Sequence, residues 1–376
     1  MLTRQPNQMR WRMTGTPSAH VRQAGARCLC SGARGGPDAD RRRFGYSSSS
    51  DHVRLCGSAR WGFSAGGDSS RDPEAFREWL GQFGRKRCEF ALEGTTGWRF
   101  VVEELERAGM RAHLAEPAET RARRGPKRRA KTDRADARLL RDLLLAENLP
   151  ESWIPPAHLA DLRSTVRLRK TLVAARDGWR RRIAAVLFHH GLPEGPNVMT
   201  FAGRLYAEKA ELPLAGRQVI DVALRMIDTL DAEVDTINAQ LSRLARHQFG
   251  CQVLQRQWGI GPVLSAVILA ELGDTRRFSS SRQAVRFAGI DVTVAESDAH
   301  RTRGHLSRQG SPVLRWALYE AAGQAFRKAS PDHEYYLEAK ARLGAKRARV
   351  AVSRRILRRI THELANHGDA PFAEAA

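Results

Sequence analysis

From Asp72 onward the chain is written in recognisable periods, and before it in none. "DPEAFREWLGQFG" opens with an aspartate N-cap and a proline at the first helical position, and Phe76, Trp79, Leu80 and Phe83 fall on one helical face. "CEFALE" reads as a short strand ending in Glu93, and "TTGWRFVVEELERAG" as a helix stopped by Gly109. "MRAHLAEP" is a second strand, ended by Pro117. A basic loop leads into a helix over about 133–146. Strand, helix, strand, loop, helix predicts a parallel α/β unit over 72–150. Ligands of such sheets sit at the C-terminal ends of strands, where Glu93 stands.

Pro150, Pro155 and Pro156 mark a linker, after which the period becomes purely helical. A long basic helix spans 158–189, and a second runs over about 216–248. In the second, Ile227, Leu230, Val234, Ile237, Leu241 and Leu244 are spaced alternately three and four apart. That is a heptad seam, which suits an antiparallel hairpin, a dimerising stalk or an ordinary bundle within one chain. Residues 151–250 are therefore expected to form a helical, coiled-coil-like region through which the chain forms homo-oligomers. The remainder, 251–365, reads as a mostly helical domain, with 366–376 a tail. It begins with "LQRQWGIGPVLSAVILAELGD", a Gly-rich turn before an apolar helix, the pattern of a helix-hairpin-helix. Gly259 and Gly261 there would offer backbone N–H groups to a phosphate. Further on, a polar loop holding Ser297 and Gly304 separates "FAGIDVTV" from a helix that begins near Pro312.

Charge changes the picture more than composition does. The 376 residues carry 63 Lys and Arg against 41 Asp and Glu, a net charge of +22. Neutralising phosphates releases counterions, so a chain this basic points to nucleic acid as partner. The excess is largely arginine, which suits bidentate phosphate contacts. Membrane association is disfavoured, because no run of about 18 apolar residues exists and the basic runs fall mostly in loops. The five cysteines form no CxxC pair. A reduced cytoplasmic setting, associated with the bacterial nucleoid, is expected. Residues 1–71, rich in Arg, Gly and Ser and without period, read as a disordered or out-of-frame basic tail.

Candidate chemistry gathers around "RARRGPKRRAKTDRADARLL". Arg124, Lys127, Arg128, Arg129, Lys131 and Arg134 would gather phosphate. Asp133 and Asp136, at i and i+3, share a face in the first turn of a helix. Helix-start carboxylates also serve the helix dipole alone. Three carboxylates converging from Glu93, Asp133 and Asp136 would repel without a cation between them. Oxygen-only ligands beside phosphate argue for Mg2+ or Mn2+, and two such ions about 4 Å apart clamp a scissile phosphate in many nucleases.

Several segments in order carry a resemblance: "ALEGTTGWRFVVEEL", "HLAEP", "KTDRADARLLRDLL", the stretch from "GIGPVLSAVILAELGD" to "SPVLRWALYEAA", and "SPDHEYY". Together they resemble the transposases of the insertion-sequence 110 family, also grouped as 116/110/902, over roughly 72–365. The resemblance implies a RuvC-like (RNase H-like) α/β domain with a DEDD acid tetrad, a coiled-coil middle and a C-terminal domain with a catalytic serine. By motif the tetrad Glu matches Glu93, its closing pair matches Asp133 and Asp136, and the serine matches Ser297. It implies DNA as substrate, a structured guide RNA and multimeric action. Arg301, Arg303 and Arg308 are placed to stabilise charge on a phosphate attacked by Ser297. Ser307 and Ser311 are the nearest competing hydroxyls.

The tetrad's first Asp, expected to end an apolar first strand, has no counterpart. Asp38, Asp40, Asp51 and Asp68 are available, and none follows a strand-like run. A frame change upstream of about residue 72 would account for this, and a sheet without its first strand would have open edges. The alternatives to an active recombinase are therefore an inactive nucleic-acid-binding remnant and a RuvC-type resolvase without a serine step.

Overall fold

The computed structural model describes residues 52–56, 73–81, 83, 87–95, 97–123, 133–293, 295–297, 300–302 and 304–374. The chain divides into two compact units between Ile154 and Pro155.

In the first unit four strands pair in the order β1 (His52–Cys56), β2 (Arg87–Glu93), β3 (Arg111–Ala115), β4 (Glu151–Ser152). The first three are parallel, and β4 is antiparallel to β3. Side chains alternate across a strand. On β2, Cys88, Phe90 and Leu92 therefore enter the main core. They meet α1 (Pro73–Gly81), through Phe76 and Leu80, and α2 (Trp98–Arg107), through Val101, Val102 and Leu105. Trp79 stacks on Phe76 and meets Phe83 edge-on. The opposite face of the sheet is thinner. There α4 (Asp133–Leu145) lays Leu140 and Leu144 against Ala91 and Ala115. The short α3 (Pro117–Ala122) follows β3, capped by the Glu116 carboxylate.

Two expectations about this unit need correction. The stretch 1–71 contains a strand: β1 pairs with β2 from His52↔Arg87 to Cys56↔Ala91. "HVRLC" is too short to show a period by itself, and its pairing partner lies more than thirty residues ahead. The unit also extends past Pro150. Glu151 and Ser152 close the sheet edge, with Glu116 N donating to Pro150 O at 2.8 Å.

The second unit is helical. α5 (Ala157–His189) and α7 (Leu214–His247), joined through α6 (Phe201–Lys209), form an antiparallel hairpin. Arg169 reaches Asn238 at one end, Arg176 reaches Asp231 at 2.7 Å further along, and Ile183 and Leu187 pack with Ile220 and Ile227 beyond them. The heptad seam is spent inside this hairpin: Ile227, Val234, Ile237 and Leu241 are buried. Three acids of α7 are matched by arginines: Asp221 by Arg217, Asp228 by Arg204 and Asp231 by Arg176.

The hairpin and the rest of the unit share one core. α8 (Phe249–Gln255) and the mostly apolar α9 (Pro262–Leu272), whose one acid, Glu271, is gripped by Arg167, pack beneath α5 and α7. Arg163 donates to Ala270 O and Arg277 to Leu272 O, so two cations meet the C-terminal carbonyls of α9, where the helix dipole favours them. Burial pushes the Arg277 guanidinium down to about 10, and it lies over both the Phe278 and the Phe287 ring. The boundary expected near residue 250 is therefore not a break between compact bodies. α10 (Ser281–Phe287), α11 (Pro312–Ala322), α12 (His333–Leu343) and α13 (Ala345–Asn366) complete the unit. Nor is 366–376 a free tail over its described part. Pro371 and Phe372 are buried, and the Gln248 side-chain amide donates to Pro371 O and Ala373 O at 3.0 Å each.

Glu104 is the most deeply buried of the first unit's described acids, only 2% exposed. Arg77 on α1 grips both of its oxygens, at 2.8 and 2.9 Å, and Arg107 adds a third bond. The bond from Arg77 holds the carboxyl below its ordinary value near 4.5, against the opposing effect of burial. A depressed folded pKa stabilises the folded state above the ordinary value, and that stability is lost as pH falls through the depressed one. Glu104→Gln should thus lower the melting temperature at neutral pH and flatten its decline in acid, as followed by circular dichroism. Equal acid slopes for both proteins would remove the ion pair from the account.

Candidate active site and nucleic-acid interface

In the first unit the site is built by alternation on β2 and by the helical repeat on α4. Ala91 and Glu93 are two residues apart and face the same side, about 7 Å apart along the strand. Asp136, Leu140 and Leu144 are four apart and share one stripe, each step about one 5.4 Å turn. Because Leu140 and Leu144 meet Ala91 and Ala115, Glu93 and Asp136 both face the layer between helix and sheet. Asp136 is buried, and Glu93 is half-buried and paired in register with Ala115. The chain turns away directly after it, with Gly94 N donating to Ala115 O and Thr95 N to Glu93 O. Asp133 lies in the first turn of α4, where its backbone is described and its side chain is not.

No group of three His, Cys, Asp or Glu side chains suited to a metal occurs among the described residues. Of the three expected acids, Glu93 and Asp136 have described side chains and Asp133 does not. β1 adds no acid, since its residues are His, Val, Arg, Leu and Cys. Cys56 stands opposite Ala91, two positions short of Glu93, and the next two residues in sequence are Gly57 and Ser58.

The same sheet face carries a cluster that the motif reading passed over. His113 Nδ1 lies 2.8 Å from a Glu151 oxygen, and its Nε2 lies 3.8 Å from Glu89. Arg111 approaches Glu89 at 3.7 Å. Glu89 is four residues before Glu93 in "RCEFALE", so alternation alone puts both acids on one face. Of the basic loop, Arg124, Lys127, Arg128, Arg129 and Lys131 lie outside the described residues, and Arg134 is described only as backbone in α4. The loop's near end is fixed, because the Arg123 guanidinium donates to the Asn148 backbone and side-chain oxygens.

In the second unit the expected polar loop is a β-arm. Its base is laddered by Arg308 N to Gly289 O, Ser307 N to Asp291 O and Thr293 N to His305 O. Beyond it, β5 (Ala295–Ser297) pairs with β6 (His300–Thr302). Ser297, opposite His300, is the last paired residue before the tip, and Arg301 stands opposite Glu296. The base is clamped from below. Ser307 Oγ bonds the Asp291 carboxylate, Arg354 Nε donates to Ile290 O at 2.6 Å, and Arg315 Nη1 donates to Gln309 O at 2.7 Å and to Gly310 O. Burial pushes both guanidiniums down. The competing hydroxyls thus have structural partners. Ser307 ties the ladder, and Ser311 caps α11 by accepting from Val313 N and Leu314 N. Arg308 is exposed beside the base with a left-handed backbone (φ 53°), and Arg303 lies outside the described residues.

The Gly-rich turn has the expected form. Gly259 takes φ 84°, and a Cβ there would meet Ala321 O at 2.4 Å. Gly261 caps α9, with Pro262 at its first position.

Residues 251–337 match the transposase family described as IS116/IS110/IS902, and residues 65–190 match the DEDD transposase family of IS110. A probable family 20 transposase of Pseudomonas aeruginosa is 24% identical over 248 residues, 62% of this chain and 70% of that protein. A putative transposase of Sinorhizobium fredii is 28% identical over 59% of this chain and 62% of its own. The transposase for insertion sequence element IS1111A of Coxiella burnetii is 23% identical over 51% of this chain and 54% of its own.

Gly304 faces Thr293 across the arm so closely that an added Cβ would sit 1.3 Å from Thr293 O. Gly304→Ala should therefore open the arm while leaving the helices intact. Trypsin cleavage at Arg301 and Arg303 should rise severalfold with unchanged helical circular dichroism, and an unchanged digestion rate would count against this pairing.

Proposed function

Because the chain belongs to the IS116/IS110/IS902 transposase family, we propose that it cuts and rejoins DNA by metal-assisted phosphoryl transfer, with Ser297 as nucleophile. The observation that carries this reading is the placement of Glu93 and Asp136 on the two sides of the Ala91–Leu140 contact. The donor set suits a hard cation: the acids are oxygen ligands, and Glu93 makes no ion pair with any described residue. Mg2+ or Mn2+, held by Glu93, Asp133 and Asp136, would supply Lewis-acid stabilisation of the phosphoryl oxygens.

The chain's own residues supply the rest. The arm presents Ser297 beside its tip, and its clamped base limits the positions the hydroxyl takes, which raises the effective concentration of the nucleophile. As the Ser297 Oγ–P bond forms, one P–O bond of the DNA backbone breaks. The serine proton is lost to a base, and the departing sugar oxygen takes up a proton. Arg301, Arg303 and Arg308 stabilise the charge that develops on the phosphate. The phosphoserine ester conserves the bond for rejoining to a second end. Lys131, Arg134 and the basic loop, together with Gly259 and Gly261, hold the nucleic-acid backbone. The family resemblance supports a guide RNA that pairs with donor and target, and action as a homo-oligomer. No helix among the described residues is long and apolar enough to cross a membrane.

A second reading has its own observation. β1 carries no acid, so a three-acid site would hold its ions weakly, and the chain would then bind nucleic acid without cleaving it. The test incubates the full chain with Mg2+, guide RNA and donor DNA and resolves covalent protein–DNA adducts under denaturing conditions. Adducts should form with the wild type and vanish with Ser297→Ala, and cleavage should vanish with Glu93→Gln and with Asp136→Asn. Cleavage that survives Ser297→Ala would reassign the chain as a resolvase. Binding without cleavage at any metal concentration would leave the remnant reading.

A further inference from the structure

The turn between α8 and α9 encloses an open cavity of about 500 Å3, lined by residues 255–261 and Pro331. Its most prominent feature is an indole that the fold leaves outside. Trp258 is 38% exposed although it lies between buried segments. The ring is nevertheless fixed, because its Nε1 donates to Gln324 O at 3.3 Å. The backbone beneath it is held from two sides. Gly259 is pressed against Ala321 O, and Gln257 Oε1 accepts from Arg359 Nε at 3.2 Å. Arg359 is itself anchored on both oxygens of Asp332, at 2.8 and 2.6 Å. A rigid, half-exposed aromatic face has no packing role that burial would not serve better, so it is available to a partner.

The surrounding charge says what kind. The stretches 255–261 and 323–331 contain Arg256, Arg327 and Lys328 and no acid. All three cations are exposed and form no ion pair among the described residues. Two neighbouring acids are already taken: Asp332 is 2% exposed and bound by Arg355 and Arg359, and Glu320 is bound by Arg349, while Glu334 lies exposed on the next helix. A second exposed aromatic, Phe326, lies in the same positive stretch. Exposed aromatic faces among unpaired cations match the requirements of unpaired nucleotides, whose bases stack while their phosphates are neutralised. A paired base offers no free face to an indole, so duplex DNA would meet the cations alone.

We infer that the Trp258–Gly261 turn is a stacking site for an unpaired nucleotide of a single-stranded nucleic acid, with Arg256, Arg327 and Lys328 holding its flanking phosphates. The inference rests on the nucleic-acid reading proposed above and adds to it the strand state that this turn takes. RNA and DNA strands share the chemistry, and the experiment separates them.

The full chain is titrated into labelled oligouridylate, oligothymidylate and a duplex, with binding read by fluorescence anisotropy. Trp258→Ala should weaken single-strand binding about tenfold, the loss of one stacked base, and leave duplex binding unchanged. Trp258→Phe should restore most of the affinity. Trp258→Leu keeps apolar bulk without the wide ring and should behave like the alanine variant, which separates stacking from a folding defect. The paired substitution Arg327→Gln and Lys328→Gln should lower the slope of affinity against salt by about two contacts. A response with oligouridylate alone assigns the site to RNA, and one with oligothymidylate alone assigns it to DNA. Single-strand affinities equal to wild type in both Trp258→Ala and Trp258→Leu, at unchanged melting temperature, would overturn the site. Stacking without serine adducts would sink the recombinase reading and keep this one, and adducts with unaltered single-strand binding in Trp258→Leu would do the reverse.

Discussion

The first unit depends on a close contact between small and large residues. Ala91 and Ala115 are fully buried, and they leave a shallow floor on which Leu140 and Leu144 rest. A bulkier pair at those strand positions would hold α4 away from the sheet. As built, the helix approaches closely enough for Asp136, one turn before Leu140, to be buried against the same layer that Glu93 faces. Burying a carboxylate there opposes folding unless something compensates it. The apolar contact thus stabilises the fold and also fixes where the Asp136 carboxylate sits relative to the sheet.

Arginine plays two roles in this chain, and only one concerns a partner. Arg163, Arg277, Arg315 and Arg354 donate to backbone carbonyls of the second unit's own core and loops, and burial lowers the pKa of each. Arg77, Arg167 and Arg359 grip buried acids in forked geometry. Lysine, a single point charge, would not replace these forks. The net charge of +22 therefore overstates the surface available for phosphate, because many of its arginines face inward. The exposed cations that lack acids, such as Arg256, Arg308, Arg327 and Lys328, are the better guide to where a polyanion would lie.

Helices were legible in the sequence because their signals are local. Asp72–Pro73, Gly109, Pro262 and Pro312 mark helix ends, and the three–four spacing on α7 reports a seam that α5 fills. β2 and β3 were legible as apolar runs closed by turn residues. The strands that escaped are those whose reason lies elsewhere in the chain. β1 gains its order from β2, β4 is two residues long and exists because β3 has an edge, and β5 with β6 is specified by the ladder below it. The candidate site was legible only as a motif: type and spacing single out Glu93 and Asp136, and strand and helix periods put them on facing elements. His113 and Glu151 were not legible, because nothing local in a lone His or in a Glu after a Pro reveals that 38 residues of chain bring them within 2.8 Å.

The sheet face also bears on how much chemistry this copy retains. β2 offers two acids to that face, Glu89 and Glu93, and they are not equivalent. Glu89 lies beside His113 and beside Arg111, whose guanidinium offsets its charge. Glu93 is two same-face strand steps nearer the end of the sheet, where the chain turns away and no described cation answers it. In a face with no acid from β1, the charge available to a divalent ion thus comes from Glu93 and from α4. Repulsion among carboxylates grows with their number, and so does their affinity for an ion. Without an acid from β1, a site at this face would be easier to fold empty and would hold an ion less firmly.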